Sequence, residues 1–226
     1  MKAPHVSWSV YIRNGLGRRL SQVGQKFGIH ILTYNYFVMR SFHDEGKKNA
    51  PLIFNPIIRH FPEAKRFMDV GSGSGVFAAE LERRGGRVLA LENSPHGRKL
   101  ANQQGVRCVA FDLNCIPPAV VEESFDLIYC FEVAEHLPAD LGDKLVDFIA
   151  SFHVPVIFTA APPGQGGTGH INEQLQQYWI DRFARFGLSY DKSLSQTLSR
   201  EFDFAGASSW FGRNVCVFRP QMHTNI

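Results

Sequence analysis

Short apolar runs recur along the middle of the chain and set its architecture. Arg66 to Val70, Val88 to Leu91, Val106 to Phe111, Phe125 to Phe131 and Val154 to Phe158 are each too short for a buried helix and suit buried strands. Between them, Val76 to Arg84, Pro95 to Gln104 and Leu141 to Phe152 carry helix-forming residues with one polar face. Strands alternating with helices predict an α/β fold built on a doubly wound, mostly parallel sheet. Phe186 to Tyr190 and Asn214 to Phe218 add two strands, making seven.

Composition divides this pattern into two parts. The 226 residues, 44% of them hydrophobic, suffice for one full core, so residues 62–226 are expected to form one domain behind an N-terminal helical arm, residues 1–61. The net charge of +3 is unevenly spread: Lys2, Arg13, Arg18, Arg19, Lys26 and Arg40 all precede the first acid, Asp44. With Trp8, Tyr11, Phe27, Tyr34, Tyr36 and Phe37 among them, these charges suit an anionic substrate, nucleic acid or a membrane surface; the simplest expectation is an arm whose aromatics pack over the core as a lid. Cys108, Cys115, Cys130 and Cys216 have no C-x-x-C spacing and read as reduced thiols of a cytoplasmic protein. No apolar run reaches the roughly 18 residues that span a bilayer, and no secretion signal opens the chain.

The chemistry begins at Asp69-Val70-Gly71-Ser72-Gly73-Ser74-Gly75, between the first strand and the next helix. Glycines there let backbone approach a ligand, and the helix N-terminus offers free amides to a carboxylate. A dinucleotide fingerprint would place its third glycine at position 76, which is Val76. Asp69 would repel a pyrophosphate and favours a ligand that also bears positive charge.

This segment resembles the first motif of the class I S-adenosylmethionine (SAM)-dependent methyltransferases, an acidic residue followed by G-x-G-x-G, and the resemblance runs from about Lys65 to Pro220. It implies a Rossmann-like methyltransferase fold, SAM as methyl donor and S-adenosylhomocysteine (SAH) as product. It assigns cofactor contacts to Asp69, Gly71, Ser72, Gly73 and Gly75. Glu92, ending the second strand beside Asn93, would accept from the ribose hydroxyls. Asp112 and Leu113 would hold the adenine, and Cys130, Phe131 and Glu132 would lie beside the methyl donor.

Two histidines are candidate general bases for an acceptor hydroxyl: His136 after the fourth strand, and His170 in a loop with four glycines between Gly164 and Gly169. Glu132, Glu135 and His136, spaced i, i+3 and i+4, would share a face if helical, and with His170 they form a conceivable divalent-metal shell. A Glu-x-x-Glu-His run with a later histidine is similar to quinone-precursor O-methyltransferases and to small-RNA 2′-O-methyltransferases, and occurs also in metal-free relatives; the metal-free form is the one expected. No Asn/Asp-Pro-Pro-aromatic run and no Pro-Cys follows the fourth strand, which disfavours amino and cytosine-C5 acceptors. The expected activity is methyl transfer to a hydroxyl of a small metabolite or sugar. The alternatives are an RNA 2′-O-methyltransferase and a non-catalytic, SAM-binding regulatory subunit.

Overall fold

The computed structural model describes residues 8–27, 29–116, 120 and 122–221. Lys2, one of the basic residues of the arm, lies outside them. The strands are β1 (Arg66–Val70), β2 (Arg87–Glu92), β3 (Cys108–Ala110), β4 (Leu127–Phe131), β5 (Val156–Thr159), β6 (Leu188–Tyr190) and β7 (Cys216–Pro220), in the order β3-β2-β1-β4-β5-β7-β6. β7 runs antiparallel to both of its neighbours, and the other pairings are parallel. The order reverses between β1 and β4, so a crevice opens beyond their C-terminal ends, where open α/β sheets place ligands.

Alternate residues of each strand enter separate cores. Met68, Val70, Leu89, Leu91, Ile128 and Phe158 point to one face, under α6 (Ala139–Ala150) and α7 (Gln176–Arg185). Phe67, Val88, Ala90, Leu127, Tyr129 and Ile157 point to the other. There they meet α4 (Val76–Arg83), α8 (Lys192–Ala205) and the second half of α3 (Tyr36–His60). Burial of both faces explains the near-continuous apolar strands. α5 (Pro95–Gln103) links β2 to β3, and α9 (Ser209–Asn214) precedes β7.

β3, β4, β5 and β6 are each shorter than the runs that predict them, and two have a clear cause. Val106 is buried but lies in the turn before β3, against Gly75, and Phe111 leaves the strand to pack on Phe148 at 4.8 Å between ring centroids. β4 begins only at Leu127, because Asp126 turns its carboxylate to the Lys65 and Arg66 amides, at 2.9 and 2.8 Å, and to the Arg66 guanidinium. That ion pair holds the Asp126 pKa down, to about 2.

The arm comprises α1 (Trp8–Phe27), the short α2 (His30–Thr33) and α3. Asn35 caps α3 by accepting from the Phe37 and Val38 amides, while its own amide group donates to Gly17 O at 3.0 Å. Ile53, Phe54 and Ile57 of α3 are fully buried against the sheet, so α3 joins the arm rigidly to the core.

Candidate functional site

The loop from Gly71 to Gly75 is shaped by backbone that only glycine adopts cheaply. Gly71, Gly73 and Gly75 have φ of 75°, 55° and 72°. Gly71 and Gly75 are crowded as well. A Cβ on Gly71 would sit 2.4 Å from Val133 Cγ2, and one on Gly75 would sit 2.6 Å from Ala101 Cβ. The Gly71 and Ser72 amides both donate to Leu91 O at 2.9 Å, locking the loop to the end of β2. His43 of α3 reaches the loop from outside, with Nδ1 3.1 Å from Ser74 Oγ.

Glu92 is held before any ligand arrives. Its Oε2 accepts from the Gly73 amide at 2.7 Å and its Oε1 from the Ser94 amide at 2.6 Å. Burial nevertheless raises its pKa to about 7, against the pull of those two amides. Asp69 is buried at the end of β1, paired in register with Tyr129 of β4, and its Oδ2 meets no hydrogen-bond donor. Burial pushes its pKa well above the carboxylate range; the Tyr129 hydroxyl opposes the rise and Glu92 adds to it. A buried carboxylate oxygen without a donor calls for a cationic or hydrogen-bonding ligand.

Two cavities meet at this loop. One, of about 270 Å³, runs over Glu92, Asn93, Asp112 and Leu113, between apolar walls that include Val70, Leu91, Phe111 and Leu145. Asp112 itself is exposed, and its Oδ1 accepts from the Asn114 amide at 2.9 Å. The other cavity, of about 470 Å³, lies over Asp69, Ser72 and Ser74 and is walled by Phe77, Phe131, Trp210, Phe211 and the glycine-rich loop. Phe42, Gly71, Gly73, Glu132 and His136 line both, so the junction between the cavities lies among these residues.

Side chains converge on that junction from β4 and from the loop after β5. Glu135 is fully buried and neither carboxylate oxygen makes a well-formed hydrogen bond; burial, and then the charge of Glu132, push its pKa well up, against the nearby amides of Glu135 itself and Ala161. Ligand atoms of Glu135, His136 and His170 lie within 4.8 Å of one another. The imidazoles of His136 and His170 meet edge to face at 4.8 Å, and Tyr34 packs on His136 in the same manner at 5.5 Å. His170 Nδ1 is 2.8 Å from Glu173 Oε1, and Glu173 also accepts from the Gly164 and Gly166 amides at 2.8 and 2.7 Å. These bonds, the one from His170 foremost, hold Glu173 below its ordinary pKa. The Glu135 carbonyl takes the Ile171 and Asn172 amides, tying the far end of the loop to the same turn.

Glu132 departs from the four-ligand shell expected for the metal. The run is not an α-helix: Ala134–His136 form a single 3₁₀ turn, and Glu132 has a left-handed φ of 53°. Its carboxylate accepts from Gln165 Nε2 at 2.7 Å and Asn214 Nδ2 at 3.0 Å, and it stands outside the group formed by the other three while still close enough to Glu135 to raise that residue's pKa. Among the described residues, the metal-capable group is therefore one carboxylate and two imidazoles.

Residues 68–154 match the methyltransferase domain family. Ubiquinone biosynthesis O-methyltransferase of Chromobacterium violaceum is 31% identical over 94 residues, which are 39% of this chain and 40% of that protein. The chain thus spans less than half the length of the curated relatives it matches. Among solved structures, human N-acetylserotonin methyltransferase in complex with SAM superposes with a TM-score of 0.61 at 12% identity, covering 96% of this chain and 68% of the human one. Burkholderia thailandensis 1,6-didemethyltoxoflavin-N1-methyltransferase, bound to its acceptor and SAH, gives 0.56 at 16% identity, covering 98% and 93%. Residues 68–154 thus carry a methyltransferase domain, set in the fold shared with SAM-dependent methyltransferases.

Within this methyltransferase domain, most residues expected at the cofactor do gather. Gly71, Gly73, Glu92, Asn93, Asp112, Leu113 and Glu132 line the first cavity, and Asp69, Ser72 and Phe131 line the second. Gly75 caps α4 and lines neither cavity. Cys130 is fully buried in the core and also lines neither; burial drives its thiol pKa well up. His136 and His170 are brought together. Sequence reasoning missed Tyr34, Met39 and Phe42, which the arm places on the cavity walls, and Trp210 and Arg213, contributed by α9. It also missed Glu173 as the partner of His170, for which the His-x-x-Glu spacing was the available signal.

Proposed function

We propose that the methyltransferase domain transfers the methyl group of SAM to a hydroxyl oxygen of a small acceptor. The cavity over Glu92 and Asp112 takes the adenosine, Asp69 meets the ammonium, and the sulfonium methyl lies at the junction of the cavities. The acceptor occupies the larger cavity against Phe77, Phe131, Trp210 and Phe211, whose ring faces suit a flat or apolar body. Within the arm, Tyr34, Met39 and Phe42 close over the cavity walls as a lid. The names of the curated relatives support oxygen as the acceptor atom.

The observation that carries this reading is the His170–Glu173 pair at the edge of the acceptor cavity. With Glu173 ionised and accepting from Nδ1, the proton resides on Nδ1 and Nε2 keeps a lone pair. That nitrogen takes the hydroxyl proton as the oxygen attacks, a contribution of about 10²- to 10⁴-fold beyond positioning alone. SAM supplies the electrophilic methyl and leaves as SAH. The test is incubation with methyl-labelled SAM and separate metabolite, glycan and RNA fractions. Label in a metabolite or sugar hydroxyl supports the proposal. Label in RNA replaces the acceptor class, and tight SAM binding with no transfer anywhere makes the chain a regulatory subunit.

A second reading rests on Glu135. Its carboxylate, buried next to two imidazoles and without a well-formed hydrogen bond, fits one divalent cation, with His170 backed by Glu173 in the way metal-bound histidines are. Glu135, His136 and His170 would hold the ion, which would lower the pKa of an acceptor hydroxyl. Turnover that survives exhaustive chelation retains His170 as the base, whereas loss restored by one divalent ion selects the metal form.

A further inference from the structure

From residue 16 onward, helix α1 is docked with its small face inward. Gly17, Ser21 and Gly24 are buried toward α2 and α3. The approach is close: a Cβ on Gly17 would lie 2.5 Å from Phe37 Cβ, and one on Gly24 would lie 2.3 Å from Thr33 N. Among the described side chains of α1, from Leu16 onward, the large apolar ones are left in solvent, Leu16 at 52%, Val23 at 45% and Phe27 at 66% exposure. These recur at i, i+7 and i+11 and form a single stripe along the helix, with half-buried Leu20 beside it. An ordinary surface helix does the reverse and turns its large apolar residues to the core.

Cations border the stripe. Arg19 and Lys26 are exposed one helical step to its side, and Lys26 Nζ lies 5.6 Å from the centroid of the Phe27 ring. No Asp or Glu precedes Asp44, so α1 itself contributes positive charge and no negative charge. An exposed apolar stripe edged by cations is the form of a helix that lies in the plane of a lipid interface. Charge complementarity selects the lipid. Two copies pairing through this face would bring like charges together, and nucleic acid would leave three large apolar side chains without a partner.

We propose that α1 is an interfacial helix that docks the protein on an anionic membrane surface, with Leu16, Val23 and Phe27 among the acyl chains and Arg19 and Lys26 at the headgroups. The docking is peripheral, since no described helix is long and apolar enough to cross a membrane. The proposal is independent of the acceptor's identity, because none of these residues lines either cavity.

The test is flotation of the whole chain with vesicles of pure phosphatidylcholine and of phosphatidylcholine mixed with phosphatidylglycerol, at low and high salt. Binding to the mixed vesicles should be at least about tenfold tighter than to the neutral ones and should fall with salt. Leu16→Ser/Val23→Ser/Phe27→Ser and, separately, Arg19→Glu/Lys26→Glu should each abolish it while melting temperature and SAH affinity stay unchanged. Equal binding to both vesicle types, or no binding to either, overturns the proposal. So does a wild-type dimer that the serine variant converts to monomer, which would make the stripe a contact between copies. RNA binding that survives the serine variant but not the glutamate variant, with vesicle binding absent, would assign the surface to nucleic acid instead.

Discussion

His170 and Glu173 are joined through Nδ1 and Oε1 at 2.8 Å, and the same carboxylate fixes the loop that carries the histidine by accepting from the amides of Gly164 and Gly166. One side chain therefore sets both the tautomer of the imidazole and the shape of the loop around it. Glu173→Gln keeps the size but can hold Nδ1 and the amides only with a neutral oxygen. It should lower kcat by at least about tenfold, less than the 10² to 10⁴ that a base itself supplies, and leave SAH affinity unchanged by calorimetry. Unchanged kcat across the pH range would remove Glu173 from the reaction.

Gly167→Ala offers a way to disturb the histidine without altering it. The new Cβ would lie 2.2 Å from His170 Nε2, with no positive φ to add backbone strain. The imidazole or the loop must shift, which displaces Nε2 from its place at the acceptor cavity. Turnover should fall at least about tenfold, while SAH binding and melting temperature stay near wild type. An alanine variant with full turnover would show that Nε2 is not the atom that receives the proton.

Gly71→Ala attacks the donor side. Its Cβ would strike both methyl groups of Val133, at 2.4 and 2.9 Å, and φ is 75°. We expect loss of measurable SAH binding together with a stability cost of about 1–3 kcal/mol. Gly71→Ala/Val133→Ala removes the clash and keeps the backbone strain, so it should recover only part of the affinity. Full recovery would reduce the glycine's role to steric fit.

The raised carboxylates predict a pH dependence of definite sign. Glu92 keeps its proton up to about pH 7 in the folded protein, against 4.5 as an ordinary glutamate. Between those values the folded state binds a proton that the unfolded chain has lost. Ligand-free stability is therefore greatest below about pH 4.5 for this group alone and declines as pH rises to 7, by on the order of 3 kcal/mol. Asp69 contributes in the same direction. SAH, whose ribose hydroxyls and ammonium favour ionised partners, should bind up to about tenfold more weakly for each pH unit below 7. Calorimetry showing a flat affinity from about pH 8 to about pH 6 would contradict the assignment of Glu92 to the ribose.

The strands and the acids at their ends were legible because they are local. An apolar run followed by Asp69, Glu92 or Asp112 needs no knowledge of the rest of the chain, and in a parallel sheet all such ends fall on one edge. Strand limits were overextended where an apolar residue is buried by a turn, as at Val106, or where a side chain binds backbone, as at Asp126. The helices α7 and α8 escaped notice, although Trp179 with Phe183, and Leu198 with Phe202, repeat at i, i+4 in buried positions. Glu132 misled because its spacing to Glu135 and His136 presumes a helix, and nothing local announces a left-handed glutamate. Tyr34, Met39 and Phe42 reach the cavities only through the docking of α3, a contact between distant segments that no periodicity encodes.

The two cavities are separated by little more than Gly71, Gly73, Glu132 and His136, and both open onto that shared wall. A single synthetic molecule can therefore bridge them: an adenosine joined, through nitrogen in place of the sulfur, to an aromatic alcohol. Such a conjugate would meet both halves of the site at once, and its affinity would approach the product of the two separate affinities multiplied by an effective concentration. A library of these conjugates, varied only in the aromatic half, would read out acceptor preference from binding alone, before any natural acceptor has been isolated.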